Sequence, residues 1–342
     1  MKQGNGILGI ALIGCGGMGR REAKELTSIP EARLVAVSDV VEAAAETFGR
    51  EMGVPWHIDH RAVLERPEVD AVIVATPNGF HTEIVTDAAN AGKHIFCEKP
   101  FAFTVAECDQ MIASAEQNDV RLMVGHVLRL MPQFQRVADI FESGALGKPV
   151  SAQVTHVSWL GDPTARYRLK KATTGGLLYD ITIHEIDFLQ KLCGPAESVF
   201  AFLDNKVQPH IDYEDLVQLL IRFKSGAVGH IFSSLASTIP SSGGTIVGER
   251  GTLRYQENVP YRRGGVITYR PLGVDGQPQE PVSEEVLQEG QENGYVRELR
   301  SFVEWVLYGW PPLLTAAEGR AAVQVVEAAY RSAETGKRVR IE

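Results

Sequence analysis

A glycine-rich turn after an apolar run constrains the fold of this chain more than any other stretch. The run Ile7–Ile13 leads into Gly14–Gly19, which reads G-x-G-x-x-G between a predicted strand and a predicted helix. The first glycine of this pattern permits a tight turn, the second lets the backbone approach a pyrophosphate, and the third lets helix and strand pack closely. Unpaired N–H groups at the helix start would face the phosphates. The predicted dinucleotide contacts are Gly14, Cys15, Gly16, Gly17, Met18 and Gly19.

The first third of the chain alternates short apolar runs with helical patterns. Strands are predicted at 7–13, 34–38, 71–75, 94–97 and 120–124. Runs of this kind, joined by short loops, predict a doubly wound parallel sheet in an α/β fold, with ligands beyond the carboxyl ends of the strands. After about residue 126, sequential strands joined by short turns predict an open, mostly antiparallel sheet accompanied by helices. We therefore expect a Rossmann domain over 1–126 and a second α/β domain over 127–342.

Length and composition narrow the class of protein. The 342 residues exceed one ordinary core, which agrees with two domains. The net charge of −9, without a long basic run, argues against nucleic acid or an anionic membrane as partner. No apolar stretch reaches the roughly 20 residues that span a bilayer. The start of the chain leaves no room for a signal peptide, and the four cysteines form no C-x-x-C pair. These features predict a cytoplasmic protein.

Asp39 is the second part of the nucleotide signal. It ends the second predicted strand, 20 residues after Gly19, where a carboxylate can accept both hydroxyls of an adenosine ribose. The same charge would repel a 2′-phosphate, and the following Val40 and Val41 offer no cation to offset it. The sequence therefore predicts NAD in preference to NADP. The alternative is an aspartate that caps the next helix.

Two further strand ends carry polar groups. The loop after the strand predicted at 71–75 supplies candidate cofactor contacts at Thr76, Pro77, Asn78 and His81, although His81 is equally suited to a purely structural place in a helical turn. Glu98 and Lys99 follow the strand predicted at 94–97, where both would face the nicotinamide end of a cofactor. The Lys99 ammonium can hydrogen-bond a substrate hydroxyl and favour the alkoxide-like state formed as hydride leaves. The alternative for Glu98 and Lys99 is a solvated charge pair.

A later helix carries Asp180 and His184. Their spacing of four residues places both side chains on one helix face. A histidine can accept a hydroxyl proton near neutral pH, and Asp180 can orient it. Asp187 continues this face, so a metal site is an alternative, but the chain lacks an H-E-x-x-H pattern and we predict no metal. A polar face that serves only packing is the structural alternative.

These motifs together resemble the Gfo/Idh/MocA family of oxidoreductases over nearly the whole chain. The resemblance rests on the glycine turn, 75–78 with His81, Glu98-Lys99-Pro100, 144–149, Gly175-Gly176 leading to Asp180 and His184, and 333–337. It implies a Rossmann domain followed by a domain with an open antiparallel sheet for substrate binding and oligomerisation. It also implies hydride exchange between a nicotinamide and a sugar or polyol carbon, and a homodimer or homotetramer formed through the outer face of the second sheet.

The resemblance also implies residue roles. In inositol dehydrogenase-like members a lysine, an aspartate and a histidine fall on Lys99, Asp180 and His184. His184 would then be the general base, Lys99 the cation that polarises the hydroxyl, and Asp180 the orienting carboxylate. The bond between Lys99 and Pro100 is commonly cis in the family.

Substrate identity is left open by the sequence. Where polyol dehydrogenases often carry an Arg-Arg-Phe or Arg-Arg-Tyr run, this chain has Gly125–Leu130, so inositol is not assigned. The candidate substrate residues are His126, Arg129, Trp159, Tyr167 and Arg168, with burial in the core an equal alternative for Trp159. Two other functions stay open: a redox-neutral sugar-processing enzyme that retains its NAD, and a non-catalytic NAD or metabolite sensor, which would not need a proton acceptor.

Overall fold

The computed structural model of the chain describes residues 6–160, 169–258, 264–287 and 292–341. The chain divides into two compact units, one formed by Met1–Val127 with Gly294–Arg320 and the other by Leu128–Asn293 with Ala321–Glu342. The domain bounds at 126/127 stay a prediction. What the sequence did not indicate is that a late helical segment, 294–320, groups with the first unit.

The first unit contains a six-stranded parallel sheet. Its strands are β1 (Leu8–Ile13), β2 (Ala32–Ser38), β3 (Trp56–His57), β4 (Ala71–Val74), β5 (His94–Glu98) and β6 (Leu122–Gly125). They lie in the order β3-β2-β1-β4-β5-β6, and every neighbouring pair is parallel. This is the strand order of a doubly wound nucleotide-binding sheet, which confirms the predicted Rossmann fold.

The helices of the first unit follow its strands in turn. They are α1 (Gly17–Leu26), α2 (Glu42–Met52), α3 (His60–Leu64), α4 (His81–Asn90) and α5 (Val105–Gln117), followed late in the chain by α9 (Gly294–Tyr308). A capping box between Thr104 and Glu107 opens α5. Phe96 of β5 meets Phe302 of α9 edge-on, with ring centroids 5.9 Å apart. The α9 helix therefore contributes directly to the core of this unit.

The second unit contains a nine-stranded sheet. Its strands are β7 (Pro149–Trp159), β8 (Ala196–Asp204), β9 (Leu216–Phe223), β10 (Val228–Ser234), β11 (Ala236–Gly248), β12 (Gly251–Glu257), β13 (Gly264–Pro271), β14 (Val282–Leu287) and β15 (Val339–Arg340). They lie in the order β14-β13-β12-β11-β7-β10-β9-β8-β15. The neighbours are antiparallel except β7 and β10, which pair in parallel. The prediction of an open, mostly antiparallel sheet is confirmed.

α6 (Pro132–Glu142) and α8 (Ile183–Cys193) pack on one face of this sheet. The other helices are the short α7 (Lys171–Thr174) and α10 (Ala316–Thr335), whose first turns belong to the first unit. The rings of Phe134 on α6, Phe188 on α8 and Tyr255 on β12 meet edge-on, with centroids 4.9 to 6.3 Å apart. The opposite face exposes apolar side chains, among them Phe202 and Leu220. Across the residues that the structure describes, no helix is both long and apolar enough to span a bilayer.

Candidate active site

The glycine turn is shaped by packing at two positions and left open at two others. A Cβ on Gly14 would lie 2.6 Å from the Ala75 carbonyl oxygen, and one on Gly19 would lie 1.9 Å from the Gly14 carbonyl oxygen. A Cβ on Gly16 or Gly17 would meet no protein atom within 4 Å. Gly16 precedes α1, and no side chain caps the first N–H groups of that helix. This open backbone with free donors fits the pyrophosphate of a dinucleotide.

Asp39 connects the glycine turn to the end of β2. Its Oδ2 accepts the backbone N–H of Cys15 at 2.8 Å, and its Oδ1 accepts that of Val41, also at 2.8 Å. The second contact is made to Val41, the residue just before α2. Asp39 therefore binds the backbone at the start of that helix, as the alternative of a helix-capping aspartate predicts. A carboxylate has about four lone-pair sites, so both oxygens can still accept a ribose hydroxyl. The side chains of Val40 and Val41 are exposed and bring no positive charge.

His81 lies fully buried at the start of α4. Its Nε2 is 3.0 Å from the carbonyl oxygen of Thr76, and its Nδ1 is 3.1 and 3.3 Å from those of Pro100 and Phe101. Burial lowers the pKa of His81, which favours the neutral ring. The ring thus joins the loops that follow β4 and β5, and this geometry favours the structural alternative. A direct contact between His81 and the cofactor stays a prediction.

Glu98 and Lys99 differ sharply in environment. Glu98, the last residue of β5, is only 6% exposed, and its Oε2 accepts the Lys99 backbone N–H at 3.0 Å. Burial raises the pKa of Glu98, while the nearby positive charge of Lys99 acts in the opposite direction. The peptide bond between Lys99 and Pro100 is cis, as the resemblance implies. A buried carboxyl does not fit the alternative of a solvated charge pair.

Three buried carboxyl groups meet beside this strand end. Glu22 of α1, Glu98 and Glu298 of α9 each have a carboxylate oxygen within 4.8 Å of the others. Burial and then the neighbouring carboxylates raise the pKa of Glu22 and Glu298 well above the usual range. Carboxylate oxygens are ligands for hard cations, but protonation relieves the same repulsion without one. The sequence interpretation missed this cluster, although Glu22 lies in register with buried Gly19, Ala23 and Leu26 on α1.

The segment that carries Asp180 and His184 is not one regular helix. Leu178–Thr182 is π-helical and leads into α8 at Ile183, whereas the sequence predicted a continuous α-helix from Leu177. The Asp180 N–H donates to the Gly176 carbonyl at 2.9 Å. A π turn widens the helix, so the angle between the Asp180 and His184 side chains differs from that in a regular α-helix. Turns of this type frequently occur at functional sites.

Arg129 and Asp187 form a buried ion pair in the second unit. Arg129 Nε donates to Asp187 Oδ2, and Nη2 donates to Oδ1, both at 2.6 Å. The two side chains are 7% and 0% exposed. The sequence treated Arg129 as a substrate contact and Asp187 as the end of a polar helix face. The structure gives them a shared structural role, and a substrate contact of Arg129 stays a prediction.

The other candidate substrate residues lie in different surroundings. His126, which follows β6, is buried, with 1% of its surface exposed. Trp159 ends β7 with 47% of its surface exposed, so the alternative that it fills the core is wrong. Tyr167 and Arg168 lie outside the described residues. Of the proposed catalytic residues, Lys99 belongs to the first unit, and Asp180 and His184 belong to the second.

Two family models match the chain. Residues 8–126 match the model described as an oxidoreductase family with an NAD-binding Rossmann fold. Residues 134–254 match the GFO/IDH/MocA C-terminal domain. The two matches cover both the glycine turn and the segment that carries Asp180 and His184.

Individual relatives are similar along nearly their whole length. The chain is 31% identical over 340 residues to a myo-inositol 2-dehydrogenase of Thermotoga maritima, covering 97% of this chain and 98% of the relative. It is 29% identical to a scyllo-inositol 2-dehydrogenase (NAD(+)) of Bacillus subtilis, covering 97% and 96%. A solved levoglucosan dehydrogenase in complex with NADH superposes with a TM-score of 0.86 at 25% identity, covering 98% and 99%.

Proposed function

The chain belongs to the Gfo/Idh/MocA family of oxidoreductases, and from that premise we propose that it oxidises a secondary hydroxyl of a sugar or cyclitol with NAD. The observation that carries the proposal is the built nucleotide site. Open backbone at Gly16 and Gly17, the uncapped start of α1, and the hydrogen bond from Cys15 to Asp39 form one continuous surface for a dinucleotide. Relatives of similar length are dehydrogenases of cyclitols, which supports the substrate class.

The proposed catalytic set is Lys99, Asp180 and His184. NAD, when bound, supplies the hydride acceptor. The His184 imidazole accepts the proton of the substrate hydroxyl, which leaves the oxygen negative while the carbon loses hydride. Lys99 Nζ donates a hydrogen bond to that oxygen and stabilises the developing charge. Asp180 orients the imidazole. The hydride and the proton leave separately, and a ketone is formed.

The preference for NAD over NADP is assigned to Asp39. Its carboxylate sits at the carboxyl end of β2, beside the glycine turn, and accepts two backbone N–H groups there. A 2′-phosphate placed at this position would meet a fixed negative charge. The two valines that follow supply no cation, so the repulsion is not offset.

The proposed oligomer forms through the open face of the nine-stranded sheet. Residues that point away from the helices expose large apolar side chains on four of its strands: Phe202 on β8, Leu220 on β9, Val247 on β11 and Val266 on β13. Exposed apolar side chains on one face suit an interface. A second copy of the chain offers the same surface, so a two-fold dimer, or a tetramer built from it, buries both.

The proposed compartment is the cytoplasm. All four cysteines are buried thiols outside any disulfide. Burial raises the pKa of Cys15 and of Cys193 to about 12, so both thiols stay protonated. Free, protonated thiols suit a reducing environment.

A screen of sugars, cyclitols and anhydrosugars with NAD tests the activity. We expect NADH formation with at least one of them, and loss of most of that turnover in Lys99→Met and in His184→Ala, with NADH binding retained. Full activity in both variants would refute the assigned roles. Mass spectrometry of products formed without net NADH would instead reveal a redox-neutral enzyme, and NAD binding without any product would reveal a sensor.

A further inference from the structure

Two side chains from distant parts of the second unit hold the turn before Asp180. Tyr330 of α10 places its hydroxyl 2.8 Å from the Gly175 carbonyl oxygen and 2.7 Å from Glu214 Oε1, so its single proton can be donated to either acceptor. Glu214 Oε1 in turn accepts the backbone N–H of Leu178 at 3.2 Å. These contacts engage the backbone on both sides of Gly176.

The glycine at the centre of this turn is required by the two side chains around it. Gly176 has φ +98°, a conformation that other residues rarely adopt. A Cβ there would lie 2.6 Å from the Tyr330 hydroxyl and 2.7 Å from Glu214 Oε1. The close approach of Glu214 and Tyr330 to the main chain therefore depends on the absence of a side chain at this position.

The Tyr330 ring is itself held on several sides. The Tyr179 ring stacks on it with centroids 6.0 Å apart, and Lys171 Nζ lies 4.0 Å from its centroid. Glu214 is 6% exposed. Burial, and then the adjacent Glu214, raise the pKa of Tyr330 far above its ordinary value. The hydroxyl therefore stays protonated near neutral pH and can donate a hydrogen bond.

The held backbone leads directly to the proposed catalytic pair. The Gly176 carbonyl accepts the N–H of Asp180, and Leu178 begins the π turn that contains Asp180 and precedes His184. An isolated π turn is less stable than an α turn, so an external partner for the Leu178 N–H helps to set where the helix begins. Neither Glu214 nor Tyr330 needs to touch the substrate to have this effect.

We propose that Glu214 and Tyr330 are positioning residues, which fix the start of the π turn and thereby the placement of Asp180 and His184. The proposal rests on the roles assigned to Asp180 and His184 above. In this proposal Gly175 and Gly176 do more than end α7, because they form one hydrogen-bonded group with Glu214 and Tyr330.

The test uses Tyr330→Phe, which keeps the ring and removes the hydroxyl, and Glu214→Gln, which keeps the size and removes the charge. Ser332→Ala is the matched control. Ser332 lies on the same helix and also makes two hydrogen bonds, from Ala201 N–H and to the Lys337 carbonyl, but neither involves the turn. Its loss should affect stability without changing the active site.

For Tyr330→Phe we expect kcat to fall about tenfold to hundredfold, because small misplacements of reacting groups cost this much. NADH affinity should stay unchanged, and the acid limb of the pH–rate profile should move. The His184 ring signal in the NMR spectrum, identified among the nine histidines by its loss in His184→Ala, should change its chemical shift because the ring is placed differently. Glu214→Gln should show the same changes, and Ser332→Ala none of them.

Wild-type kcat, pH profile and His184 ring signal in Tyr330→Phe and Glu214→Gln would overturn the positioning role. If the unmodified protein turns over no sugar or cyclitol, the proposed function fails, and the chemical shift of the His184 ring signal alone decides the inference. An unchanged signal in both variants then rejects it, and a changed one supports it.

Discussion

The backbone N–H of Cys15 donates to the carboxylate of Asp39 across 2.8 Å, which joins the glycine turn to the end of the second strand. The residue proposed to recognise the ribose therefore also fixes the loop proposed to hold the phosphates. A change at Asp39 acts on both ends of the adenosine diphosphate. Cofactor affinity and cofactor choice are consequently coupled through one carboxylate.

Two replacements of Asp39 separate its effect on cofactor affinity from its effect on cofactor choice. Asp39→Ala should weaken NADH binding about tenfold to hundredfold, since hydrogen bonds to charged groups contribute about 1.5–3 kcal/mol. Asp39→Asn keeps an acceptor for a backbone N–H and removes the charge, so it should relax discrimination against NADPH with a smaller loss of NADH affinity. Fluorescence titration with both reduced cofactors measures the two constants.

Asp70→Asn is the matched control for this pair. Asp70 Oδ2 accepts the Gly9 N–H at 3.0 Å and so also ties a carboxylate to β1, but at the strand's amino end. It should lower stability without altering the ratio of NADH to NADPH affinity. Equal affinity of the unmodified protein for both cofactors would contradict the role assigned to Asp39.

The carboxyl cluster predicts an unusual pH dependence of stability. The pKa of Glu298 is raised in the folded protein above its ordinary value of 4.5, with burial as the main cause and Glu98 as the second. A raised pKa favours folding below the unfolded-state pKa, and this contribution is lost as the pH rises through the folded-state pKa. The cluster should therefore destabilise the first unit increasingly from about pH 5 upward.

Glu298→Gln removes one ionisable member and keeps the shape. Its melting temperature should exceed that of the wild type by several degrees at pH 8, since about 1 kcal/mol corresponds to roughly 2–4 °C for a unit of this size. The difference should shrink toward pH 5. The charges of Arg21, Glu22, Glu25, Glu98, Lys99 and Tyr295 also act within this cluster. Glu304→Gln, on the same helix and partly exposed, serves as control; a pH-independent difference for Glu298→Gln would contradict the prediction.

Features encoded in short stretches were predictable from the sequence. The glycine turn, the position of Asp39 and the capping box between Thr104 and Glu107 depend on residues close together in the chain, and the structure contains each of them. Alternating strand and helix patterns were sufficient to predict the parallel sheet. The change of pattern after residue 126 was sufficient to predict the mostly antiparallel sheet.

Features that depend on distant partners were not predictable. The α and π forms share the same apolar pattern, and the choice at Leu178 involves a hydrogen bond from its N–H to Glu214, which lies in another element. The carboxyl cluster joins Glu22 to Glu298 from opposite ends of the chain. The parallel pairing of β7 with β10 likewise depends on which strands become neighbours after folding. The pattern of apolar and polar residues along a short stretch of chain carries no information on these contacts.

The pair Arg129–Asp187 predicts a stability effect where the sequence suggested a substrate contact. Removing one partner of a buried ion pair leaves an unpaired charge, so Arg129→Met and Asp187→Leu should each cost about 3–5 kcal/mol of unfolding free energy. The double variant should recover much of that loss, which denaturant unfolding measures as a coupling energy. The substrate role would be favoured instead by two results. The losses of unfolding free energy in the two single variants would add in the double variant, and Arg129→Lys would show a raised KM with normal stability.

The open sheet face predicts a mutation that separates subunits. Phe202 is 64% exposed and Leu220 is 50% exposed on neighbouring strands. The double variant Phe202→Asp/Leu220→Asp places two charges within the proposed interface, and desolvating an unpaired charge costs more than such an apolar contact contributes. Sedimentation should therefore show a dimer or tetramer for the wild type and a monomer for the variant. Val274→Asp changes a fully exposed valine in a surface turn and should leave the assembly intact. A wild type that sediments as a monomer at every concentration, or a double variant with unchanged assembly, would place any interface elsewhere.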